Sequence, residues 1–156
     1  MQINKIIIGI DDSKYAHHAA KYGFSIARKY NAAVGLVNII EPLVTPLDTS
    51  DSILGMPLAD VSSPEEMDLI NSQSTASERI IDRTIKEFGE GLTVTHFSEY
   101  GSTADGILQC ATEFGADLIV VGTHKRSGLD RLFMGDVAEG VTRHAKVPVL
   151  VVPFSE

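Results

Sequence analysis

The chain alternates between short, continuous apolar runs and longer stretches whose apolar residues recur at helical spacing. The apolar runs, residues 5–10, 33–40, 93–100, 117–121 and 147–152, have the length of strands. Most of them lack the alternation of apolar and polar residues of a half-exposed strand, and therefore predict strands buried on both faces of a parallel sheet. Residues 93–100 have mixed polarity, which predicts an edge strand.

The stretches between these runs predict four helices. They cover residues 14–30, 63–88, 103–114 and 135–144. Strand and helix alternate throughout, so the predicted fold class is α/β with a mainly parallel sheet, formed by a single domain over residues 1–156. Small residues should bring the first helix close to the sheet; they are Ala16, Ala19, Ala20, Gly23 and Ala27.

The second helix has a clear predicted start and end. Ser63, Pro64 and Glu66 are typical of a capped helix start, and Gly89 is typical of a stop. We expect its inward side chains to be Ile70, Ile81, Ile85 and Phe88.

Residues 41–62 interrupt the alternation. This segment contains Pro42, Pro46, Pro57 and Gly55 and has no clear period, which predicts a long loop. Long loops in compact domains are usually functional or mobile, so the loop is a candidate surface for protein partners.

Composition narrows the functional class. The net charge is −8, from 13 basic and 21 acidic residues, which argues against nucleic-acid binding. The single cysteine, Cys110, excludes an internal disulfide and fits a reducing cytoplasm. It shares a helical side with Ile107 and Phe114, so we expect a part-buried, inert thiol. No apolar run suits a signal peptide or a membrane span, so we expect a soluble, cytoplasmic protein without membrane contact.

Several common chemistries have no signature in the chain. No dinucleotide fingerprint follows the first strand, and no loop ends in Gly-Lys-Ser/Thr. The five histidines lack metal-ligand spacing, and no arrangement typical of a serine or cysteine nucleophile is apparent. The sequence therefore predicts neither a metal centre nor catalytic residues.

Polar or glycine residues stand at three predicted strand ends. Asp11 follows the first strand, residues 38–41 end the second, and Gly122 follows the fourth. Ligands of doubly wound sheets bind at the carboxyl ends of the strands. On spacing alone, however, Asp11 is more typical of a helix cap or turn former. The order strand, glycine loop, helix start at Gly135 and strand is also typical of a phosphate site.

Five segments together resemble the universal stress protein family. They are IIIGIDDS, VGLVNIIEP, GSTADGIL, GADLIVVGTH and MGDVAEGVTRHAKVPVLVVP, and they extend over essentially the whole chain. The resemblance implies a Rossmann-like, five-stranded parallel sheet of order 3-2-1-4-5 with helices on both faces. It also implies a homodimer paired through the last strand, at Val149, Leu150, Val151 and Val152.

Some members of this family bind ATP, through a glycine, two residues, a glycine, nine residues, a glycine and then serine or threonine. This pattern falls on Gly122, Lys125, Gly135 and Asp136, so its spacing is intact and two residue types differ. The resemblance also implies adenine contacts at Asp11 and at the backbone around Ile39.

Both differences weaken a triphosphate site. Lys125 removes the freedom of a glycine, although its ammonium could attract a phosphate. Asp136 can only accept hydrogen bonds, and the sequence Asp136-Val137-Ala138-Glu139 predicts a capping box that satisfies the helix start internally. A carboxylate about 4 Å from a phosphate charge costs roughly 4 kcal/mol at an effective dielectric of about 20.

We therefore expect a non-catalytic regulatory domain with little or no ATP affinity and no certain cofactor. An alternative is binding of ATP, ADP or AMP, with Mg²⁺ accompanying a triphosphate, where Lys125, Arg126 and Arg131 compensate charge instead of forming a solvated loop. A nucleotide hydrolase using Asp11, Asp12 or Asp136 is a third hypothesis. A fourth hypothesis is a domain that acts only by binding other proteins, through the loop of residues 41–62.

Overall fold

The computed structural model describes residues 2–42, 64–124 and 135–154. Within these ranges the chain forms a five-stranded parallel sheet of order β3-β2-β1-β4-β5 with four helices. The predicted class and the strand order implied by the resemblance are both confirmed. The strands are β1 (Lys5–Gly9), β2 (Ala33–Ile40), β3 (Val94–Tyr100), β4 (Leu118–His124) and β5 (Val149–Phe154). The helices are α1 (Lys14–Tyr30), α2 (Pro64–Phe88), α3 (Thr103–Phe114) and α4 (Asp136–His144).

The core lies on both faces of the sheet, as the unbroken apolar runs predict. Successive side chains of a strand point to opposite faces, and in β1 all three isoleucines are fully buried. Ile6 and Ile8 pack in one apolar cluster with Phe24 of α1 and Ile81 of α2. Ile7 packs in the other cluster, which contains apolar residues of α3 and α4. Two helices therefore cover each face.

Helix α1 begins and ends at the predicted residues. The Ser13 hydroxyl accepts a hydrogen bond from the Ala16 N–H at 3.1 Å, and Asn31 ends the helix in a left-handed conformation with φ of 54°. Its predicted small residues are all buried. This close packing fixes the start of α1 beside the ends of β1 and β4.

The prediction that Ile70 of α2 points inward is wrong. Ile70 is 46% exposed, whereas Ile81 is buried and Ile85 and Phe88 pack against the core. The first turns of α2 lie beside the last residue of the edge strand β3, where the Tyr100 hydroxyl donates to the Ile70 carbonyl oxygen at 3.4 Å. Less of the sheet is available there to bury an apolar side chain. The serine predicted to cap α2, Ser63, lies outside the described residues.

The bounds of β4 and β5 also differ from the prediction. β4 continues past Gly122 to His124, because it pairs with β5 as far as Phe154. Gly122 therefore lies within a strand, opposite Val152, instead of after the strand. β3 is an edge strand, as predicted, and β5 forms the other edge. No helix in the described ranges is long and apolar enough to cross a membrane.

Candidate functional site

A cavity of about 540 Å³ opens at the carboxyl ends of β1, β2 and β4. This volume is in the range of small-molecule sites. Lys125, the sixth predicted site residue, lies outside the described residues. Another cavity of about 400 Å³, between α3 and the end of α4, contains none of the predicted site residues. The larger cavity brings together five predicted residues, namely Asp11, Ile39, Gly122, Gly135 and Asp136.

Gly122 is required by packing at the floor of this cavity. A β-carbon at this position would lie 2.5 Å from the Tyr15 carbonyl oxygen and 3.1 Å from the Ala16 nitrogen. These are backbone atoms at the start of α1, and they cannot move aside as the end of a flexible side chain could. The glycine therefore allows α1 to approach β4, which is a structural role.

Gly135 differs from Gly122 because no atom of the described neighbouring residues requires a glycine there. The atom nearest to a β-carbon at Gly135 would be the Thr123 hydroxyl oxygen, at 3.9 Å, and its φ of −55° suits any residue. Its N–H donates to that hydroxyl at 3.2 Å. Among the described residues, the missing side chain leaves space beside the cavity, which suits close approach of a ligand to the backbone.

The predicted capping box of α4 is wrong. Gly135 is the N-cap and Asp136 is the first helical residue, and no side chain among the described residues caps the helix. The Glu139 N–H donates to the Gly135 carbonyl oxygen at 3.0 Å, and the Glu139 carboxylate pairs instead with Arg143 at 2.6 Å. The first turn of α4 therefore presents to the cavity N–H groups that no described side chain caps, together with the positive end of the helix dipole.

Asp11 forms a turn, which is one of the two roles predicted for it. Its carboxylate accepts a hydrogen bond from the Ser13 N–H at 2.7 Å. Asn38, which is buried, donates to the Ile10 carbonyl oxygen at 2.8 Å and ties the end of β2 to the end of β1. The neighbouring Asp12 pairs with Arg83 at 2.8 Å and does not line the cavity.

The described lining of the cavity is acidic. Asp11, Glu41 and Asp136 contribute three carboxylates, and none of the described lining residues is Lys, Arg or His. The Thr103 hydroxyl, at the start of α3, donates to the Glu41 carboxylate at 2.5 Å. The sequence indicated that the strand end containing Glu41 lines a ligand site. It gave no indication that Thr103 or Thr123 line it, because their positions depend on how β3 and β4 lie beside the cavity.

Cys110 lies in α3, outside this cavity, and is 2% exposed. Burial, with smaller contributions from Glu99 and Glu113, raises the pKa of the thiol from 9.0 to about 11. The thiolate is the reactive form, so the inert thiol predicted from the sequence agrees with this environment. In the described part of the chain, no group of three or more His, Cys, Asp or Glu side chains could hold a metal ion.

Comparison with known proteins gives a consistent family. The model of the universal stress protein family matches residues 2–153. The chain is 32% identical over 148 residues to a universal stress protein of Methanocaldococcus jannaschii, and the match covers 95% of this chain and 81% of that protein. The solved structure of hypothetical protein MJ0577 matches with a TM-score of 0.76 at 23% identity. The match covers 100% of this chain and 99% of that one.

Two further structures contain nucleotides. An Arabidopsis thaliana universal stress protein family protein with AMP bound has a TM-score of 0.65 at 17% identity, and the match covers 97% of this chain and 92% of that one. A universal stress protein in complex with cAMP has a TM-score of 0.66 at 20% identity, and the match covers 99% of this chain and 100% of that one. At these identities the structures establish a common fold. The family model and the relative of 32% identity show that the chain belongs to the universal stress protein family.

Proposed function

We propose that this protein is a non-catalytic regulatory domain that binds an adenine nucleotide of low phosphate charge, AMP or cyclic AMP, in the cavity between Asp11 and Asp136. The observation that carries this proposal is the start of α4, which no described side chain caps, beside Gly135, a glycine that neither its backbone conformation nor packing against the described residues requires. In this proposal Asp11 and the backbone around Ile39 contact the base, and Gly122 and Gly135 lie beside the phosphate.

The start of α4 supports a bound phosphate. Uncapped N–H groups and the helix dipole together favour an anion at a helix N-terminus. Open space at Gly135 would allow phosphate oxygens to approach the N–H groups without meeting a β-carbon. A side chain that capped the helix would compete for the same N–H groups, and the described residues provide none.

The acidic lining supports a ligand with few phosphates. Each phosphate group adds negative charge beside Asp136, and two unit charges about 4 Å apart repel by roughly 4 kcal/mol at an effective dielectric of about 20. ATP without a metal ion would therefore bind more weakly than AMP. Lys125 and Arg126 could offset part of this repulsion, and Mg²⁺ carried by a triphosphate could offset more.

Two solved relatives support the choice of ligand, because one has AMP bound and the other is in complex with cAMP. The hydrolase hypothesis has less support. Among its candidate bases, Asp12 is paired with Arg83 outside the cavity and Asp11 accepts the Ser13 N–H. We therefore place nucleotide binding ahead of nucleotide hydrolysis.

Isothermal titration calorimetry with AMP, cAMP, ADP and ATP, each with and without Mg²⁺, tests the proposal. We expect AMP and cAMP to bind more tightly than metal-free ATP. The Gly135→Ala variant should keep its melting temperature and lose about tenfold in AMP affinity, equivalent to about 1.4 kcal/mol. Tighter binding of metal-free ATP, or no binding of any adenine nucleotide, would contradict the proposal.

We further propose that two chains pair through β5. This edge strand is rich in valine and leucine, with Val149, Leu150 and Val151 only partly buried and Val152 buried. An apolar edge strand is a template for pairing with another strand. The proposed surface for other proteins, residues 41–62, lies outside the described residues except for Glu41 and Pro42.

A further inference from the structure

A hydrogen bond from Thr103 orients the side chain of Glu41 beside the acidic cavity. Glu41 is the first residue after β2, and Thr103 is the first residue of α3. The Thr103 hydroxyl donates to Oε1 of Glu41 at 2.5 Å, and both residues line the cavity. This hydrogen bond joins two segments that are 62 residues apart in the chain.

The backbone around this hydrogen bond is itself well defined. Tyr100, the last residue of β3, pairs in register with Ile40, the last residue of β2. The next residue, Gly101, donates its N–H to the Ile40 carbonyl oxygen at 3.1 Å. The turn that carries Thr103 is therefore fastened to the residue that precedes Glu41, so the Thr103 hydroxyl is positioned to orient the carboxylate.

The Glu41 carboxylate retains capacity to bind a ligand. Its two oxygens can accept about four hydrogen bonds, and Thr103 supplies one of them. Within the described ranges no cationic side chain pairs with Glu41. An exposed carboxylate without a cation repels phosphate but readily accepts hydrogen bonds from hydroxyl groups. It is therefore suited to the uncharged, hydroxyl-bearing part of a nucleotide.

We propose that Glu41 recognises the ribose hydroxyl groups of the bound nucleotide and that Thr103 is the positioning residue for its carboxylate. This inference rests on the proposed function. Neighbouring strands lie about 4.8 Å apart, so the ends of β2 and β4, on either side of β1, are about 10 Å apart. A mononucleotide can extend over this distance. With its phosphate beside Gly135 and its base beside Ile39, the sugar lies between the ends of β4 and β2, where the Glu41 side chain can extend to it from the end of β2.

This assignment predicts a preference among adenine nucleotides. AMP has free 2′ and 3′ hydroxyl groups, whereas the 3′ oxygen of cAMP is esterified and cannot donate. AMP should therefore bind more tightly than 2′-deoxy-AMP, 3′-deoxy-AMP and cAMP. A hydrogen bond to a charged group corresponds to a preference of roughly tenfold or more.

The test compares these four ligands by calorimetry on the wild-type protein and on Glu41→Ala, Glu41→Gln and Thr103→Val. The informative quantity is the ratio of the AMP and deoxy-AMP dissociation constants, because removing any nearby carboxylate would change the absolute affinity of an anion. We expect a ratio of about ten in the wild type, about one in Glu41→Ala and intermediate values in the other two variants. Glu90→Ala, an exposed residue outside the cavity, is the matched control and should keep the wild-type ratio.

The outcomes separate this inference from the proposed function. If AMP binds but the wild type does not discriminate against the deoxy ligands, the ribose assignment is wrong and nucleotide binding stands. The same holds if Glu41→Ala keeps the discrimination. If the wild type binds none of the four ligands, both proposals are overturned. Unchanged melting temperatures of the variants, expected because Glu41 is exposed, would establish that a lost ratio does not reflect unfolding.

Discussion

The α-carbon of Gly122 lies against the backbone of Tyr15, so that a β-carbon at Gly122 would stand 2.5 Å from the Tyr15 carbonyl oxygen. Gly122→Ala would force α1 away from β4, and overpacking of this kind costs about 1–3 kcal/mol. We expect the free energy of unfolding to fall by that amount in urea denaturation. Gly135→Ala is the matched control and should change it by less than about 0.5 kcal/mol. Equal losses in the two variants would contradict the distinct roles of the two glycines.

Asp136→Ser tests whether this carboxylate opposes phosphate charge. Serine removes the negative charge and adds a hydroxyl that can donate to a phosphate. We expect affinity for metal-free ATP to rise by at least about tenfold at low salt, and the gain to shrink as salt screens the charge. Calorimetry at two ionic strengths measures both effects.

Asp105→Ser is the control for this prediction. Asp105 lies in the first turn of α3, as Asp136 does in α4, but it does not line the cavity. Its replacement should leave ATP affinity unchanged. An unchanged ATP affinity in Asp136→Ser would show that the electrostatic argument is wrong.

The buried thiol of Cys110 should make stability depend on alkaline pH. The folded pKa is about 11, against an ordinary value of 9.0, so the unfolded chain loses this proton at a lower pH than the folded chain. Between these values the folded state binds more protons, and the free energy of unfolding should therefore fall as pH rises from about 9 towards 11. Urea denaturation over this range measures the slope.

Cys110→Ala should remove this contribution to the slope. In the wild type, a thiol reagent at mildly alkaline pH should label Cys110 slowly until the protein unfolds, since the reactive thiolate is scarce and buried. Rapid labelling of the folded protein would contradict the burial of this side chain.

Val151→Lys tests the proposed pairing through β5. A lysine on an edge strand disfavours pairing with a second strand, because its charge would be buried in the interface. We expect the wild type to sediment as a dimer and the variant as a monomer. Thr95→Lys, on the exposed edge strand β3, should stay dimeric. A monomeric wild type, or a dimeric Val151→Lys, would contradict the proposed interface.

Local pattern was sufficient for most of the fold. The bounds of α1 and β2 follow from the sequence because their caps and apolar runs are local: Ser13 starts the helix, Asn31 ends it, and the next run begins at Ala33. The sequence-based prediction failed where contact with a neighbouring strand or helix sets the end of an element or the burial of a side chain. Pairing with β5 extends β4 through His124, and Ile70 is exposed because α2 begins beside the edge of the sheet.

The sequence by itself determined the class of fold, since apolar periodicity and glycine positions are properties of the chain alone. The resemblance indicated the strand order and where a ligand site would lie. Only the tertiary structure decided the role of each residue in that site. It gave Gly122 a packing role, because α1 meets β4 there, whereas the described neighbours of Gly135 give that glycine no such role. It also brought Thr103 to Glu41 across 62 residues. Such contacts depend on how separate elements pack together, which no local pattern encodes.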